Sequence, residues 1–156
     1  MSLNDKSIWD SAYLNEYLGL TDDTQTWEYI TDKEYQLLRP ITGNALPSMA
    51  ISTIKKDSDG NPIRAKYRIV VLGNLDPHTW SKRDCFAPVM SQLEFRCLIA
   101  SAVQLQRPPR SGDFQNAFCQ SSLPRNVQYI IRPPHGCPLT PPRTYLRLLK
   151  PLYGLK

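Results

Sequence analysis

The first fifty residues contain one helical and one extended pattern. Apolar and aromatic side chains recur at spacings of three and four, which predicts an amphipathic helix over residues 8–18 that ends near Gly19. Ser7 precedes this stretch in a pattern typical of a capping box. We expect the aromatic stripe of the helix to pack in the core. Residues 26–31 predict a short strand, and residues 32–47, which contain Pro and Gly, predict irregular backbone.

The clearest local pattern is a β-hairpin formed by residues 50–56 and 63–72. The two runs flank Asp59-Gly60, a strong turn signal. Alternate residues of the second run fall on opposite faces, so its cations share one face at intervals of roughly 7 Å. The hairpin cations are Lys55, Lys56, Arg64, Lys66 and Arg68. Such a row suits either an exposed edge protected by charge or a finger that grips phosphate groups, and both interpretations remain open.

The second half of the chain alternates between helical and extended patterns. A long loop over residues 73–92 precedes residues 92–104, which predict a largely buried helix. Residues 127–132 and 145–150 predict two further strands. This order predicts an α+β fold in which helices pack on a sheet.

Asp113 is the only acidic side chain after Glu94, in a region rich in Arg and Lys. Gly112 precedes it and an apolar pattern follows, which predicts a short strand, a tight turn and then a helix. A carboxylate at a strand end favours a ligand for a hard cation. The alternative is a structural ion pair with one of the neighbouring basic residues.

Charge is unevenly distributed along the chain. Residues 1–50 hold three basic and eight acidic side chains, residues 51–156 hold 16 basic and six acidic ones, and the formal net charge is +5. The basic part favours a phosphate-rich partner, although a solvated basic face accounts for the charge equally well.

Cysteine usage and hydropathy bear on the compartment. The four cysteines lack metal-binding spacing, which predicts reduced thiols in a protein that is not secreted. The apolar runs are too short for a membrane span. We therefore expect an intracellular protein, cytoplasmic or nuclear, without a membrane partner.

Short motifs follow one another in order along nearly the whole chain, from about residue 9. They are Thr26-Trp27-Glu28-Tyr29-Ile30; Lys55-Lys56-Asp57 with Asp59-Gly60, Arg64, Lys66, Arg68-Ile69-Val70 and Gly73; Phe86-Ala87-Pro88-Val89; Gly112-Asp113-Phe114 with Ala117-Phe118; Arg132-Pro133-Pro134 with Gly136; and Leu152-Tyr153-Gly154-Leu155-Lys156. In this order the chain resembles the N-terminal part of the reverse transcriptase domain of copia-type retrotransposons, an RNA-directed DNA polymerase of a Pol polyprotein.

The resemblance implies a fragment of a right-hand polymerase fold. About residues 1–25 would form an N-terminal helix and linker, about 26–92 the fingers with their β-hairpin, and about 93–156 the start of the palm sheet with its packed helices. The complete domain would bind an RNA or DNA template with its primer, together with dNTPs. It would add deoxynucleotides by phosphoryl transfer with two Mg²⁺ ions.

The resemblance also implies roles for particular residues. Asp113 would be the first catalytic aspartate and a magnesium ligand, together with the backbone carbonyl of Phe114. Phe118, beside Ala117 in the dNTP site, would be a steric gate against a 2′-hydroxyl group, with ordinary core packing as the alternative. The resemblance implies that Lys55 or Lys56, together with Lys66 or Arg68, contacts the triphosphate, and it leaves open which member of each pair does so. The residues implied for the nucleic acid are Arg64, Trp80, Lys82 and Arg83.

The sequence departs from the family pattern in ways that affect activity. The family's later Asp-Asp motif is absent after Asp113, and the aromatic run that usually precedes Lys55 is also missing. One carboxylate cannot hold two Mg²⁺ ions, so we expect weak or no magnesium binding and no polymerisation by this chain. We also expect this fragment to be of marginal stability. The alternatives are a non-catalytic nucleic-acid-binding remnant and an unrelated α+β interaction domain.

Overall fold

The computed structural model describes residues 6–83, 86, 88–114, 116–124, 126–135, 137 and 139–155. Its helices are α1 (Lys6–Leu18), α2 (Asp32–Thr42) and α3 (Gln92–Gln104), and its strands are β1 (Trp27–Thr31), β2 (Ser48–Lys56), β3 (Pro62–Val71), β4 (Ile130–Ile131) and β5 (Thr144–Leu148). This mixture of helices and strands agrees with the predicted α+β class. Ala87, Gly136 and Lys156, which belong to the motifs above, lie outside the described residues.

The chain divides into two compact units. The first contains the described residues up to 78 together with 116–155, and the second contains residues 79–114. No described helix has the length and apolar character required to cross a lipid bilayer. Among the described cysteines, Cys97, Cys119 and Cys137 are free thiols.

Helix α1 confirms the predicted amphipathic helix and its aromatic core face. Tyr13 and Tyr17 are buried, and Tyr17 contacts Trp27 of β1 with ring centroids 5.7 Å apart. The hydroxyl groups of Tyr17 and Tyr29 are hydrogen-bonded, so β1 turns both of its predicted aromatic residues toward this helix. The predicted capping box is wrong, because the helix already begins at Lys6 and Ser7 lies inside it.

A three-stranded antiparallel sheet with the order β1-β5-β4 forms the centre of the first unit. Leu146 of β5 is fully buried and pairs with Tyr29 on one side and Ile131 on the other. Strand β5 confirms the prediction for residues 145–150, but only Ile130 and Ile131 form the strand predicted over residues 127–132. The preceding backbone turns instead, because the Val127 amide donates to the carbonyl of Pro124.

Helix α2 contradicts the prediction of irregular backbone over residues 32–47. Thr31 caps it, since the Thr31 side chain accepts from the Glu34 amide and the Glu34 carboxylate accepts from the Thr31 amide. These hydrogen bonds hold the pKa of Glu34 below its usual value. Pro40 lies inside the helix and has no amide to donate to the carbonyl of residue 36, yet the helix continues to Thr42.

The predicted hairpin is present as β2 and β3, which pair from Ser48 opposite Val71 to Lys56 opposite Pro62. Asp57 fixes the turn, because its carboxylate accepts from the amides of Asp59 and Asn61. On one face of β3, the ring of Tyr67 packs edge-on against Tyr13 of α1 at a centroid distance of 5.3 Å. The apolar face of the hairpin therefore rests on α1.

Helix α3 begins and ends where predicted, with Ser91 and Glu94 as a capping box. The prediction that it is largely buried is wrong, because none of its residues is buried and Leu93 and Val103 are both 72% exposed. An apolar side chain is buried only where another surface covers it. The described part of the second unit contains no other helix or strand that could do so.

A close backbone approach joins the end of β3 to residues 153–154. The Val71 amide donates to the Tyr153 carbonyl over 2.7 Å. Gly154 has a φ of 91°, and a Cβ atom at this position would collide with the carbonyl oxygen of Val71. Glycine is therefore required here both for its backbone angle and for space.

We predict that Gly154→Ala lowers the free energy of unfolding by more than about 1 kcal/mol, because it adds an unfavourable φ to a backbone collision. Gly112→Ala is the matched control, since no atom lies within 4 Å of a Cβ placed there. Urea unfolding followed by tryptophan fluorescence measures both. Equal effects of the two substitutions would contradict the close approach.

Candidate nucleic-acid interface

The register of the hairpin gathers cations on one face. Lys55 lies directly opposite Arg64, and Lys66 and Arg68 follow Arg64 at steps of two residues along β3. Arg64, Lys66 and Arg68 are therefore spaced roughly 7 Å apart along the strand. Lys56 adjoins a shift in the register and pairs with Pro62, so its place in the row is less regular. The four cations of this row, Lys55, Arg64, Lys66 and Arg68, are called the cation face below.

The charges of the cation face repel one another. Partial burial lowers the pKa of Lys66, and the positive charges of Arg68, Lys55 and Arg64 lower it further. Glu16 of α1 acts in the opposite direction through its negative charge. Burial raises the pKa of Glu16 itself, against the opposing effects of the Ile69 amide, Lys66 and Arg68. One partly buried carboxylate thus compensates for only part of this positive charge.

Two aromatic rings continue the cation face at Arg68. The guanidinium carbon of Arg68 lies 5.8 Å from the centre of the Tyr153 ring, which is within reach of a cation–π interaction. Phe118 packs edge-on against the same ring, with centroids 5.2 Å apart. The structure therefore joins Arg68 and Phe118, both predicted for the dNTP site, through Tyr153, to which the sequence analysis gave no role. Gly154, which follows Tyr153, was the sequence feature that could have indicated a close contact at this position.

Phe118 lies on an exposed turn rather than in the core. Residues Ala117–Gln120 form a short 3₁₀ helix that follows Asn116 in the left-handed region. Cys119 is buried and anchors this turn, while Ala117 is exposed and the Phe118 side chain is 57% exposed. Ordinary core packing therefore does not account for Phe118.

Asp113 and Phe114 belong to the second unit, and both are exposed. The predicted strand at Asp113 is wrong, because residues 107–114 form neither helix nor strand. A strand requires a neighbouring strand for its backbone hydrogen bonds, and the structure pairs no described strand with this segment. The helix predicted after Asp113 is reduced to the 3₁₀ turn at Ala117–Gln120.

Trp80, Lys82 and Arg83 also belong to the second unit. Lys82 and Arg83 are exposed, and Trp80 is partly buried. Across the part of the chain that the structure describes, no group of three or more His, Cys, Asp or Glu side chains could hold a metal ion.

Comparison with known proteins identifies a class of similar sequences, the retrovirus-related Pol polyproteins of transposons. The chain is 35% identical over 106 residues, 68% of its length, to the retrovirus-related Pol polyprotein from transposon RE1 of Arabidopsis thaliana. It is equally similar to the corresponding polyprotein from transposon RE2 of the same plant. The chain spans about 7% of the length of either relative. This similarity supports a fragment of a retrotransposon Pol polyprotein.

Two further comparisons gave no match. No protein-family model matches the chain, and no solved structure matches it.

We predict that Glu16→Gln lowers the pKa of Lys66, because the substitution removes a nearby negative charge that favours the protonated amine. Arg68→Gln should raise the same pKa, since it removes a repelling charge. A pH titration of ¹³C-labelled lysine by NMR measures both shifts. Lys33→Gln, on α2, is the control and should leave Lys66 unchanged. Shifts of the same sign in Glu16→Gln and Arg68→Gln would contradict this electrostatic arrangement.

Proposed function

We propose that the chain is part of a reverse transcriptase domain, with the hairpin as its fingers and residues from about 93 onward as the beginning of its palm. The complete right-hand domain, acting inside the cell, would extend a primer on an RNA or DNA template. The observation that carries this proposal is the continuity of the cation face with Tyr153 and Phe118. The similarity to transposon Pol polyproteins supports it.

In the proposed reaction, the 3′-hydroxyl group of the primer attacks the α-phosphate of a dNTP and pyrophosphate leaves. Lys66 and Arg68 would bind the triphosphate, with Lys55 or Lys56 beside them. The negative charge of the triphosphate would be neutralised by these cations, and its binding would reduce the repulsion among the cations. Phe118, close to Arg68 through Tyr153, would face the sugar and exclude a 2′-hydroxyl group.

Asp113 would supply one magnesium ligand of the complete domain, with the carbonyl of Phe114 beside it. Since the sequence contains no Asp-Asp pair after Asp113, we propose that this chain does not catalyse polymerisation by itself. Arg64 on the hairpin, with Trp80, Lys82 and Arg83 in the second unit, would contact the nucleic acid.

A second candidate function is non-catalytic binding of nucleic acid through the cation face. Burial is the larger cause of the lowered pKa of Lys66, and repulsion by Arg68, Lys55 and Arg64 adds to it. This repulsion favours the binding function, because any polyanion that lies across the hairpin would relieve it. The coding sequence downstream of codon 156 discriminates between the two candidates. An Asp-Asp pair on a further predicted hairpin supports the polymerase, whereas a continuation without one leaves the binding function.

We predict that the chain binds a primer–template duplex and that its affinity falls steeply with salt. Each phosphate contact contributes about 0.9 to the slope of log K against log salt concentration. The double variant Arg64→Ala, Lys66→Ala should therefore reduce this slope by about 2. These two positions are preferable to Arg68, whose loss would also disturb Tyr153. Fluorescence anisotropy with a labelled duplex measures the affinity at each salt concentration.

The control for this experiment is the double variant Lys6→Ala, Lys33→Ala, which removes the same charge from two exposed positions that have no proposed role in nucleic-acid binding. An equal change of slope in both double variants would show that net charge, not the cation face, determines binding. No detectable binding at low salt would overturn both candidate functions.

A further inference from the structure

A cavity of about 310 Å³ lies in the first unit, away from the cation face. It is an open concavity lined by α2, the loop that follows this helix, the residue after β4 and the start of β5. Its lining residues are Tyr35, Gln36, Arg39, Asn44, Ala45, Arg132 and Tyr145. The volume is at the lower end of the range of about 300 to 1,000 Å³ that is usual for small-molecule sites.

The cavity contains positive charge without a matching negative charge. Arg39 donates from Nε to the Asn44 side-chain oxygen over 3.2 Å, which orients the guanidinium and leaves its two terminal nitrogens available. Arg132 is exposed, and its backbone belongs to the first unit. Within the described ranges, neither Arg39 nor Arg132 forms an ion pair with a carboxylate. Arg39 and Arg132 therefore both line one concave site, and the described residues of this lining include no Asp or Glu.

The backbone around the two arginines is fixed by hydrogen bonds. The Tyr35 hydroxyl accepts from the Ala45 amide over 3.0 Å, and the Tyr35 ring stacks on Tyr145 with centroids 4.1 Å apart. The Arg132 amide donates to the carbonyl of Leu46 over 2.8 Å. The loop after α2 and the segment after β4 are thus tied together, so the backbone that carries the two arginines is preformed.

We propose that this cavity binds a phosphate monoester group. Such a group carries a charge of about −1.5 to −2 at neutral pH, which two guanidinium groups balance. Each guanidinium presents a planar fork of donors that matches two phosphate oxygens. The side-chain amides of Gln36 and Asn44 add neutral hydrogen-bonding groups to the lining. This inference does not depend on the proposed function, because no residue of the cation face contributes to the cavity.

A phosphate monoester could come from a free nucleotide or from the 5′ end of a nucleic-acid strand. The two sources present the same terminal group, whereas the internal phosphodiesters of a strand carry only a single charge. We therefore expect the cavity to bind inorganic phosphate, a nucleoside monophosphate and a 5′-phosphorylated oligonucleotide. It should not bind the same oligonucleotide without its 5′-phosphate.

The experiment follows the Ala45 amide by ¹H–¹⁵N NMR, because this group lies in the cavity wall and donates to Tyr35. Inorganic phosphate, deoxyadenosine monophosphate and an oligonucleotide with or without a 5′-phosphate are titrated separately. We expect saturable shifts with the phosphomonoesters. Arg39→Gln and Arg132→Gln should each weaken binding by about tenfold, the usual scale for one charge-assisted contact.

Lys33→Gln is the matched control, because Lys33 is an exposed cation on the same helix and does not line the cavity. Arg132→Lys, which keeps the charge but removes the fork, should weaken binding by less than Arg132→Gln. Retained binding in the double variant Arg64→Ala, Lys66→Ala is expected, and it separates this site from the cation face.

Three outcomes would overturn the proposal. The first is the absence of a saturable shift at Ala45 with any phosphomonoester. The second is equal weakening by Lys33→Gln, which would indicate diffuse attraction by net charge. The third is an equal shift at Ala45 with the unphosphorylated oligonucleotide, which would show that terminal phosphate is not recognised. None of these results bears on the hairpin, whose own test uses different residues.

Discussion

Cross-strand pairing in the hairpin divides the side chains of β3 between two environments. Tyr67, Ile69 and Val71 share one face, where Tyr67 packs on α1 and the other two are fully or almost fully buried. The intervening cations are thereby directed to the opposite face. A shift of the register by one residue would exchange the two sets and would place charged groups against α1, at a large desolvation cost. Burial of the apolar face thus determines that the cations lie together on the opposite face.

The same register connects the hairpin to the residues with proposed chemical roles. Val71, at the end of β3, holds Tyr153 through a backbone hydrogen bond, and the Tyr153 ring then lies between Arg68 and Phe118. Cation–π and edge-on aromatic contacts each contribute only about 0.5 to 1.5 kcal/mol. Their value here is geometric, because they restrain a long flexible guanidinium and an exposed ring at one end of the cation face.

Sequence reasoning succeeded where the determining interactions are local. The hairpin follows from alternation around Asp59-Gly60, and α1 and α3 follow from the spacing of their apolar residues. Helix α2 was missed because Pro40 was given more weight than the capping pair Thr31 and Glu34, which decides the start of the helix. A helix-breaking residue near the end of a segment is weaker evidence against a helix than a capping pair at its beginning is for one.

Burial and pairing could not be predicted in the same way, because they depend on surfaces distant in the sequence. Helix α3 has the apolar composition of a core helix, yet its side chains are exposed in the structure. The segment around Asp113 has a strand-like pattern without a paired neighbour among the described strands. Tyr153 acquires its contacts from β3 and from the turn at Phe118, neither of which is adjacent to it in the chain.

Strand β1 pairs with β5 across more than a hundred intervening residues. During synthesis from the N-terminus, β1 therefore leaves the ribosome long before the strand that completes its hydrogen bonds. Contacts between α1 and the hairpin are far closer in sequence and can form while translation continues. In the interval, the edge of β1 that later pairs with β5 has no partner from this sheet and is open to strands of other molecules.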